Sequence, residues 1–316
     1  MLTVQSDVAS LHRVVVCRPG DAFGSQAEVD RSWRRLGYVG APDLEAAESE
    51  HDAFVGLLRG AGVDVHYLDA SIPVGMDALY PRDASVICRD GAVLCRMGKE
   101  SRMTEPEAHA ATYATLGVPV LGNIRGDGRL EGGDVAWLDE RTLVAGLGYR
   151  TNPEGVRQLR DLLGDRIDTL IEVPLPHWRG PGDVFHLMSM LSPLSESVLL
   201  VYSPLLPVFF RRELLERGFQ LVEVPEEEFE TMGANALAVN PERCMLLAGN
   251  PRTRGRIERS GIEVLEYEGR QISTLGSGGP TCLTRPVSRL AVDSDKQGRK
   301  GVSPCRAHML SGHCSP

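Results

Sequence analysis

Short apolar runs separated by turn residues recur along this chain in one order: strand, strand, helix, strand. Asp83-Ala-Ser-Val-Ile-Cys88 and Ala92-Val-Leu-Cys95 flank Arg89-Asp90-Gly91, whose Asp-Gly pair suits a tight hairpin turn. Glu105 to Leu116 then carries a helical pattern stopped by Gly117, and Val118 to Leu121 reads as a strand. The second unit predicts strands over Val135 to Leu138 and Thr142 to Leu147, a helix from Pro153 to Leu163 before Gly164, and a strand over Thr169 to Val173. The third predicts strands over Phe185 to Leu191 and Ser197 to Tyr202, a helix around Pro207 to Arg217 before Gly218, and a strand over Gln220 to Val224. The fourth has strands at Ala236 to Val239 and Met245 to Ala248, a short helix near Arg254 to Arg259 before Gly261, and a strand at Ile262 to Leu265. The fifth is divided between the two ends of the chain. Cys282 to Val287 supplies its first strand and His12 to Cys17 its second, followed by helix Leu44 to Arg59 and strand Val63 to Leu68.

The pattern predicts an α/β fold in which five ββαβ units form a ring closed by the N- and C-terminal strands. Closure removes the sheet edges that an open array would expose. An open α/β sheet with helices between strands fits the same periodicities, but it leaves the two halves of the fifth hairpin without partners. A single domain is expected over 1–290. Residues 291–316, polar and without hydrophobic period, are expected to form a disordered tail.

Composition narrows the function. The chain has 316 residues, with 34 Lys+Arg against 43 Asp+Glu and a formal net charge of −9. That acidity argues against a nucleic-acid partner, which would call for a basic surface, and suits a small cationic ligand. The first thirteen residues hold no sustained apolar core. The longest apolar stretch, Ser197 to Phe210, is interrupted by Ser203, Pro204 and Pro207. A cytoplasmic protein with no membrane partner is therefore expected. Seven cysteines, odd in number and without paired metal spacing, speak against zinc and against a disulfide framework.

The register of the units singles out candidate chemistry. Asp83, Asp134, His186, Asn235 and Cys282 stand at or just before the first strand of successive units, at intervals of 47 to 52 residues, and would meet at the axis of a ring. Clustered polar groups in a narrow space must be paired or they cost stability, so a purely structural repeat would be expected to place small or apolar residues there. Cys282, in Gly276-Ser-Gly-Gly-Pro-Thr-Cys-Leu-Thr, can serve as a nucleophile if its proton is removed. His186 can act as general acid and base, and Glu131, in Leu130-Glu-Gly-Gly-Asp134, can orient the imidazole. Taken singly, a cysteine near a strand is more often buried and inert, and a lone histidine more often structural. Asp77 and Asp83 add carboxylates that would repel a thiolate unless a cation is bound, and a planar guanidinium suits them. Arg102 and Arg150 each follow the second strand of a hairpin and can clamp a substrate carboxylate; exposed salt bridges are the plainer alternative for both.

These residues resemble the guanidino-group modifying superfamily, and most closely the dimethylarginine dimethylaminohydrolases. The resemblance spans about Arg13 to Arg289. It is carried by Asp77 to Asp83, Leu130-Glu-Gly-Gly-Asp134, Arg150-Thr-Asn-Pro-Glu-Gly155, His186-Leu-Met-Ser189 and Gly279-Pro-Thr-Cys-Leu283 in that order. It implies a five-bladed α/β propeller of ββαβ repeats with pseudo-fivefold symmetry, in keeping with the ring. It implies that Cys282 attacks the guanidinium carbon of a methylated, arginine-like amino acid, that His186 protonates the departing amine, and that His186 then deprotonates water to release citrulline. Glu131 would hold His186 and the guanidinium. Asp77, Asp83 and Asp134 would be substrate-binding acids, and Arg102 with Arg150 would bind the amino-acid end. No metal and no organic cofactor is implied, and the sequence leaves a homodimer open.

Three alternatives stay open at this point. Arginine deiminases share the Leu-Glu-Gly-Gly-Asp segment and an ending similar to Thr281-Cys-Leu-Thr-Arg-Pro-Val-Ser-Arg289. Their pattern has Asp two residues after the histidine and usually His before the cysteine, where this chain has Met188 and Thr281. Loss of that Asp favours an alkylated guanidine, whereas Arg82 departs from the acidic residue found there in some dimethylaminohydrolases. Amidinotransferases use the same thiol to pass the amidino group to an amine. A non-catalytic propeller acting as a binding module is the third alternative, and it has no need of Cys, His and Glu at matched positions.

Overall fold

The computed structural model describes residues 3–182 and 185–291. The tail beyond Ala291, with Cys305 and Cys314, lies outside them, as do Asp183 and Val184. In chain order the elements are β1 (Ser10–Val16), α1 (Pro19–Phe23), α2 (Gln26–Leu36), α3 (Leu44–Gly60), β2 (Asp64–Tyr67), β3 (Ser85–Cys88), β4 (Gly91–Leu94), α4 (Glu105–Leu116) and β5 (Val120–Asn123). They continue through β6 (Val135–Trp137), β7 (Thr142–Leu147), α5 (Pro153–Leu163), β8 (Thr169–Pro174), β9 (Leu191–Pro193), β10 (Val198–Val201), α6 (Val208–Glu216), β11 (Gln220–Glu223) and α7 (Glu226–Phe229). The last are β12 (Ala236–Asn240), β13 (Arg243–Leu247), α8 (Pro251–Arg259), β14 (Glu263–Tyr267) and β15 (Arg285–Leu290).

These strands form five three-stranded sheets, each with one antiparallel and one parallel pairing. In the divided unit, C-terminal β15 pairs antiparallel with N-terminal β1, Ser10 opposite Leu290 and Val15 opposite Arg285, and β1 runs parallel to β2. The middle strands are covered on both faces and read as apolar runs: Val198–Val201 and Gly91–Leu94 are buried throughout. Each helix that follows a middle strand lays an apolar stripe on its sheet. In α5 the buried positions are Gly155, Val156, Leu159 and Leu163, and Asn152 caps the first turn by accepting from Gly155 N at 2.8 Å. In α3, Asp43 caps Ala46 N, while Ala47, His51, Phe54, Val55 and Leu58 face inward. No helix among the described residues is long and apolar enough to cross a membrane.

The sheets touch one another through their first strands and the turns before them. β15 packs on β3 and on the turn Pro81–Ala84; that turn packs on Gly132–Asp134, and Gly132–Asp134 on Leu187–Ser189. From there β9 meets β12, and β12 meets β1. This corrects the expected strand starts. Asp83, His186 and Cys282 do not open strands but sit in tight turns, and the strands begin later, at Ser85, Leu191 and Arg285. In the third unit the predicted strand over Phe185 to Leu191 is a 3-10 turn because Ser189 Oγ accepts from His186 N at 3.1 Å and Leu187 N donates to Asp134 Oδ1 at 3.0 Å. Those two bonds take the amides that a strand ladder would use.

Candidate active site

The turns bring Asp83, Glu131, His186 and Cys282 together. His186 Nε2 lies 2.7 Å from Glu131 Oε2, and its Nδ1 lies 3.9 Å from Asp83 Oδ1. Cys282 and His186 line the same two cavities. Two glycines allow this closeness. A side chain on Gly133 would put its Cβ 2.6 Å from Asp83 Oδ1 and 2.7 Å from His186 Nδ1, and one on Gly279 would strike Asn235 Oδ1. Gly133 N donates to Asp83 Oδ1 at 3.0 Å, so the backbone also fixes the carboxylate.

Electrostatics assign the resting protons. Burial alone would lower His186, but Asp83, Asp134 and the hydrogen bond to Glu131 outweigh it and push the imidazole up to about 9. Glu131 is held below the usual carboxylate range: its burial is overcome by the His186 hydrogen bond, by the His186 charge and by Arg150, whose Nη1 lies 3.3 Å from Oε1. Cys282 moves the other way. Burial and the Asp83 charge push its thiol up to about 11, against hydrogen bonds from Gly279 and Thr281 and the charge of Arg82. Near neutrality the site therefore holds an imidazolium and a neutral thiol, and a cation must arrive before the thiolate is favoured. Alkylation of Cys282 by iodoacetamide in ligand-free protein is expected to be slow at pH 7.5 and still climbing at pH 10. A rate that has already levelled off by pH 8 would contradict this assignment.

The remaining candidate residues divide. Asp77 and Arg150 line the smaller cavity, of ≈30 Å³, together with Asp83 and Cys282. Lys99 Nζ lies 2.7 Å from Asp77 Oδ2. Arg102 lines the same cavity, but its guanidinium is largely engaged. It donates to Asp83 Oδ2 at 2.5 Å, to both oxygens of Glu105 at 2.8 Å, and to the carbonyls of Asp77 and Tyr80. Asp134 lines neither cavity. It lies fully buried behind the turn, where it accepts from Leu187 N and where burial raises its carboxyl to about 6. Among the described residues, Asp83, Glu131 and His186 form the group whose ligand atoms converge enough to suit a metal ion. His186 Nε2, however, is directed at Glu131 across a hydrogen bond, so this pair shares a proton and does not face a common ion.

Sequence reasoning missed Lys99, Glu105 and the role of Asn235. Glu105 stands three residues after Arg102, close enough to suggest an ion pair across the turn that opens α4. Asn235 was legible from the register of the repeats, but only the structure gives it partners: Oδ1 accepts from Thr281 N and Oγ1, and Nδ2 lies 3.6 Å from Cys282 Sγ. Arg82, the departure in Tyr80-Pro-Arg-Asp83, turns inward and pairs with Asp7 at 2.9 Å. The four other described cysteines, Cys17, Cys88, Cys95 and Cys244, are buried free thiols pushed up by desolvation.

Comparison with known proteins adds a family. Residues 28–289 match the family model described as N,N dimethylarginine dimethylhydrolase, eukaryotic. The N(G),N(G)-dimethylarginine dimethylaminohydrolase of Pseudomonas aeruginosa is 30% identical over 251 residues, covering 78% of this chain and 91% of the relative. The solved structure of the Pseudomonas aeruginosa enzyme complexed with citrulline, a cysteine-to-serine mutant, superposes with a TM-score of 0.69 at 26% identity, covering 89% of this chain and 100% of that one. The N-terminal domain of the cyanobacterial arginine dihydrolase ArgZ superposes with a TM-score of 0.74, covering 89% of this chain and 98% of that one. At 21% identity that likeness is one of fold.

Proposed function

Because the chain belongs to the dimethylarginine dimethylaminohydrolase family of hydrolases acting on C–N bonds, we propose that it hydrolyses the guanidinium of a methylated, arginine-like amino acid to citrulline and an amine. The observation that carries this reading is the placing of Cys282 and His186 on shared cavity walls, with His186 anchored by Glu131. The five sheets and the succession of contacts among their first strands support a five-bladed α/β propeller, one domain with pseudo-fivefold symmetry, whose axis carries the site.

The charge balance of the site matches a cationic substrate. A guanidinium beside Asp83 supplies the positive charge that the thiolate lacks in the empty site, so the Cys282 proton passes to solvent water as the substrate binds and returns to the sulfur after citrulline leaves. The thiolate sulfur bonds to the guanidinium carbon. The C–N bond to the substituted nitrogen breaks, and the amine leaves with a proton from His186, whose raised affinity keeps it charged until then. Neutral His186 next takes a proton from water, the hydroxide adds to the thiouronium carbon, and the C–S bond breaks to release citrulline. Glu131 positions the imidazole through both stages and, with its own Arg150 contact, stays ionised. Arg150, with Lys99 beside Asp77, supports a clamp for the amino-acid end. Arg102 and Asp134 serve as positioning residues, one for Asp83 and one for the turn that carries His186. The citrulline in the Pseudomonas aeruginosa complex supports a small guanidino or ureido amino acid as the ligand.

Met188 favours an alkylated guanidine over arginine. It lines the larger cavity with an apolar side chain where a deiminase pattern would put a carboxylate to hold an unmethylated nitrogen. A panel of Nω,Nω-dimethylarginine, Nω-methylarginine, arginine, and arginine with an added amine acceptor tests the assignment by citrulline and by guanidino product. Dimethylarginine is expected to exceed arginine in kcat/KM by at least tenfold. Faster release of ammonia from arginine would move the chain to the deiminase reading, and a new guanidine to the transferase reading.

A further inference from the structure

Cys282 and His186 line two cavities whose other residues differ. One, of ≈30 Å³, has Asp77, Lys99 and Arg150 on its lining; the other, which those residues do not line, is ≈210 Å³ and carries on its wall Trp178, Phe185, Met188, Phe229 and Met232 beside Arg179, Glu230 and Asn235. Phe229 anchors that wall. It stacks on Tyr202 with ring centres 4.0 Å apart and planes at 14°, and Trp178 meets it edge-on at 5.9 Å. The charges near this cavity are already matched: Arg179 pairs with Glu230 at 2.6 Å, and Arg82 with Asp7.

The backbone around the cavity is unusual as well. Among the described residues, the three non-glycine residues with positive φ are Trp178 at 43°, Met232 at 65° and Ser277 at 59°, and all three line it. Residues forced into that region mark places where the surrounding structure imposes a shape, and such places cluster at ligand sites. The space is also generous for the amine that leaves dimethylarginine, since an engineered apolar cavity of about 150 Å³ already takes up benzene.

Resting on the guanidino-hydrolase reading, we propose that this larger cavity is the subsite for the substituent on the reacting guanidino nitrogen, and that the substrates include arginine-type guanidines bearing a benzyl-sized or branched-alkyl group there. The amino-acid end points toward Asp77, Lys99 and Arg150, the guanidinium carbon lies at Cys282 Sγ, and the substituent lies against Trp178, Met188 and Phe229. The bonds made and broken are those of the reaction already described: C–S forms, the C–N bond to the bulky nitrogen breaks, and the amine R–NH₂ departs into the cavity with the His186 proton. Water completes citrulline, so guanidine plus water becomes citrulline plus R–NH₂.

The experiment compares kcat/KM for Nω-benzylarginine and Nω,Nω-dimethylarginine with the full chain, following both citrulline and benzylamine. The benzyl substrate is expected within threefold of dimethylarginine or better, with benzylamine released one-for-one with citrulline. Val39 lies at the edge of the cavity and is exposed, so Val39→Trp narrows the space without disturbing the core. It is expected to lower the benzyl-to-dimethyl ratio at least tenfold. Turnover of dimethylarginine with the benzyl compound slower by a hundredfold or more would overturn the subsite and leave the hydrolase reading standing. So would an unchanged ratio in Val39→Trp, or ammonia released in place of benzylamine. Failure of both guanidines would overturn the hydrolase reading itself and the subsite with it.

Discussion

Cys282→Ser is expected to abolish citrulline formation, a loss on the order of 10⁴ to 10⁶-fold in kcat, comparable to removal of a nucleophile in other covalent enzymes. The reason lies in the sulfur. A serine hydroxyl is far more reluctant to lose its proton than the thiol, and Asp83 and burial already push even the thiol up to about 11. The bound guanidinium then cannot make up the difference. The surroundings are indifferent to the exchange: serine has nearly the same shape, the contacts from Asn235 and Thr281 accept an oxygen as readily, and Cys282 closes no disulfide. Thermal unfolding is accordingly expected within a few degrees of wild type, because the exchange is nearly isosteric and leaves no buried group without a partner. Mass spectrometry gives the companion measurement. A guanidino substrate quenched in acid should leave an adduct on Cys282 in the wild type and none in the serine variant. Turnover that survives the substitution would remove Cys282 as the nucleophile.

His186→Ala is expected to lose about 10² to 10⁴-fold in kcat, the usual contribution of a general acid and base, and also to weaken the fold. The imidazole is raised from 6.5 to about 9 by its buried acids, so its protonation favours the folded state by roughly 3 kcal/mol at about 1.4 kcal/mol per pKa unit. Because the folded value lies above the unfolded one, that contribution is complete below about pH 6.5 and disappears as pH rises through 9. The difference in unfolding free energy between wild type and variant should therefore be largest near pH 6 and shrink toward pH 10. A constant difference across that range would mean that His186 is not the imidazolium partner of Glu131 and Asp83. The variant also separates chemistry from folding. At a pH and temperature where it remains folded, Cys282 should still react with iodoacetamide while turnover is lost.

The local parts of the fold were legible because each rests on neighbours in the chain. Helices α4 and α5 read to within a residue since Gly117 and Gly164, both at positive φ, end them. The divided fifth unit followed from apolar runs at both termini, and β15 does pair with β1. The third unit shows where local reading stops. Phe185 to Leu191 has strand composition, yet Leu187 N is drawn to Asp134, fifty-three residues away, and the segment turns instead. Helices α1 and α2 went unread because α1 is only five residues long and α2 is mostly polar, with Val29 as its buried residue.

The candidate site divides along the same line. That a cysteine, a histidine and several acids recur in phase was determined by the sequence alone, because repeat spacing sets which residues hold the same position in successive units. What each of them holds was decided only in three dimensions. Arg102 looks like a free clamp until Glu105 and Asp83 close on it, and Asp134 like a ligand until burial withdraws it behind Leu187. Trp178, Met188, Phe229 and Met232 are unremarkable in order along the chain; they become one wall because three separate segments meet there. Side-chain pairing and cavity shape depend on groups distant in sequence, whose proximity is paid for by the whole core, and no local pattern encodes them.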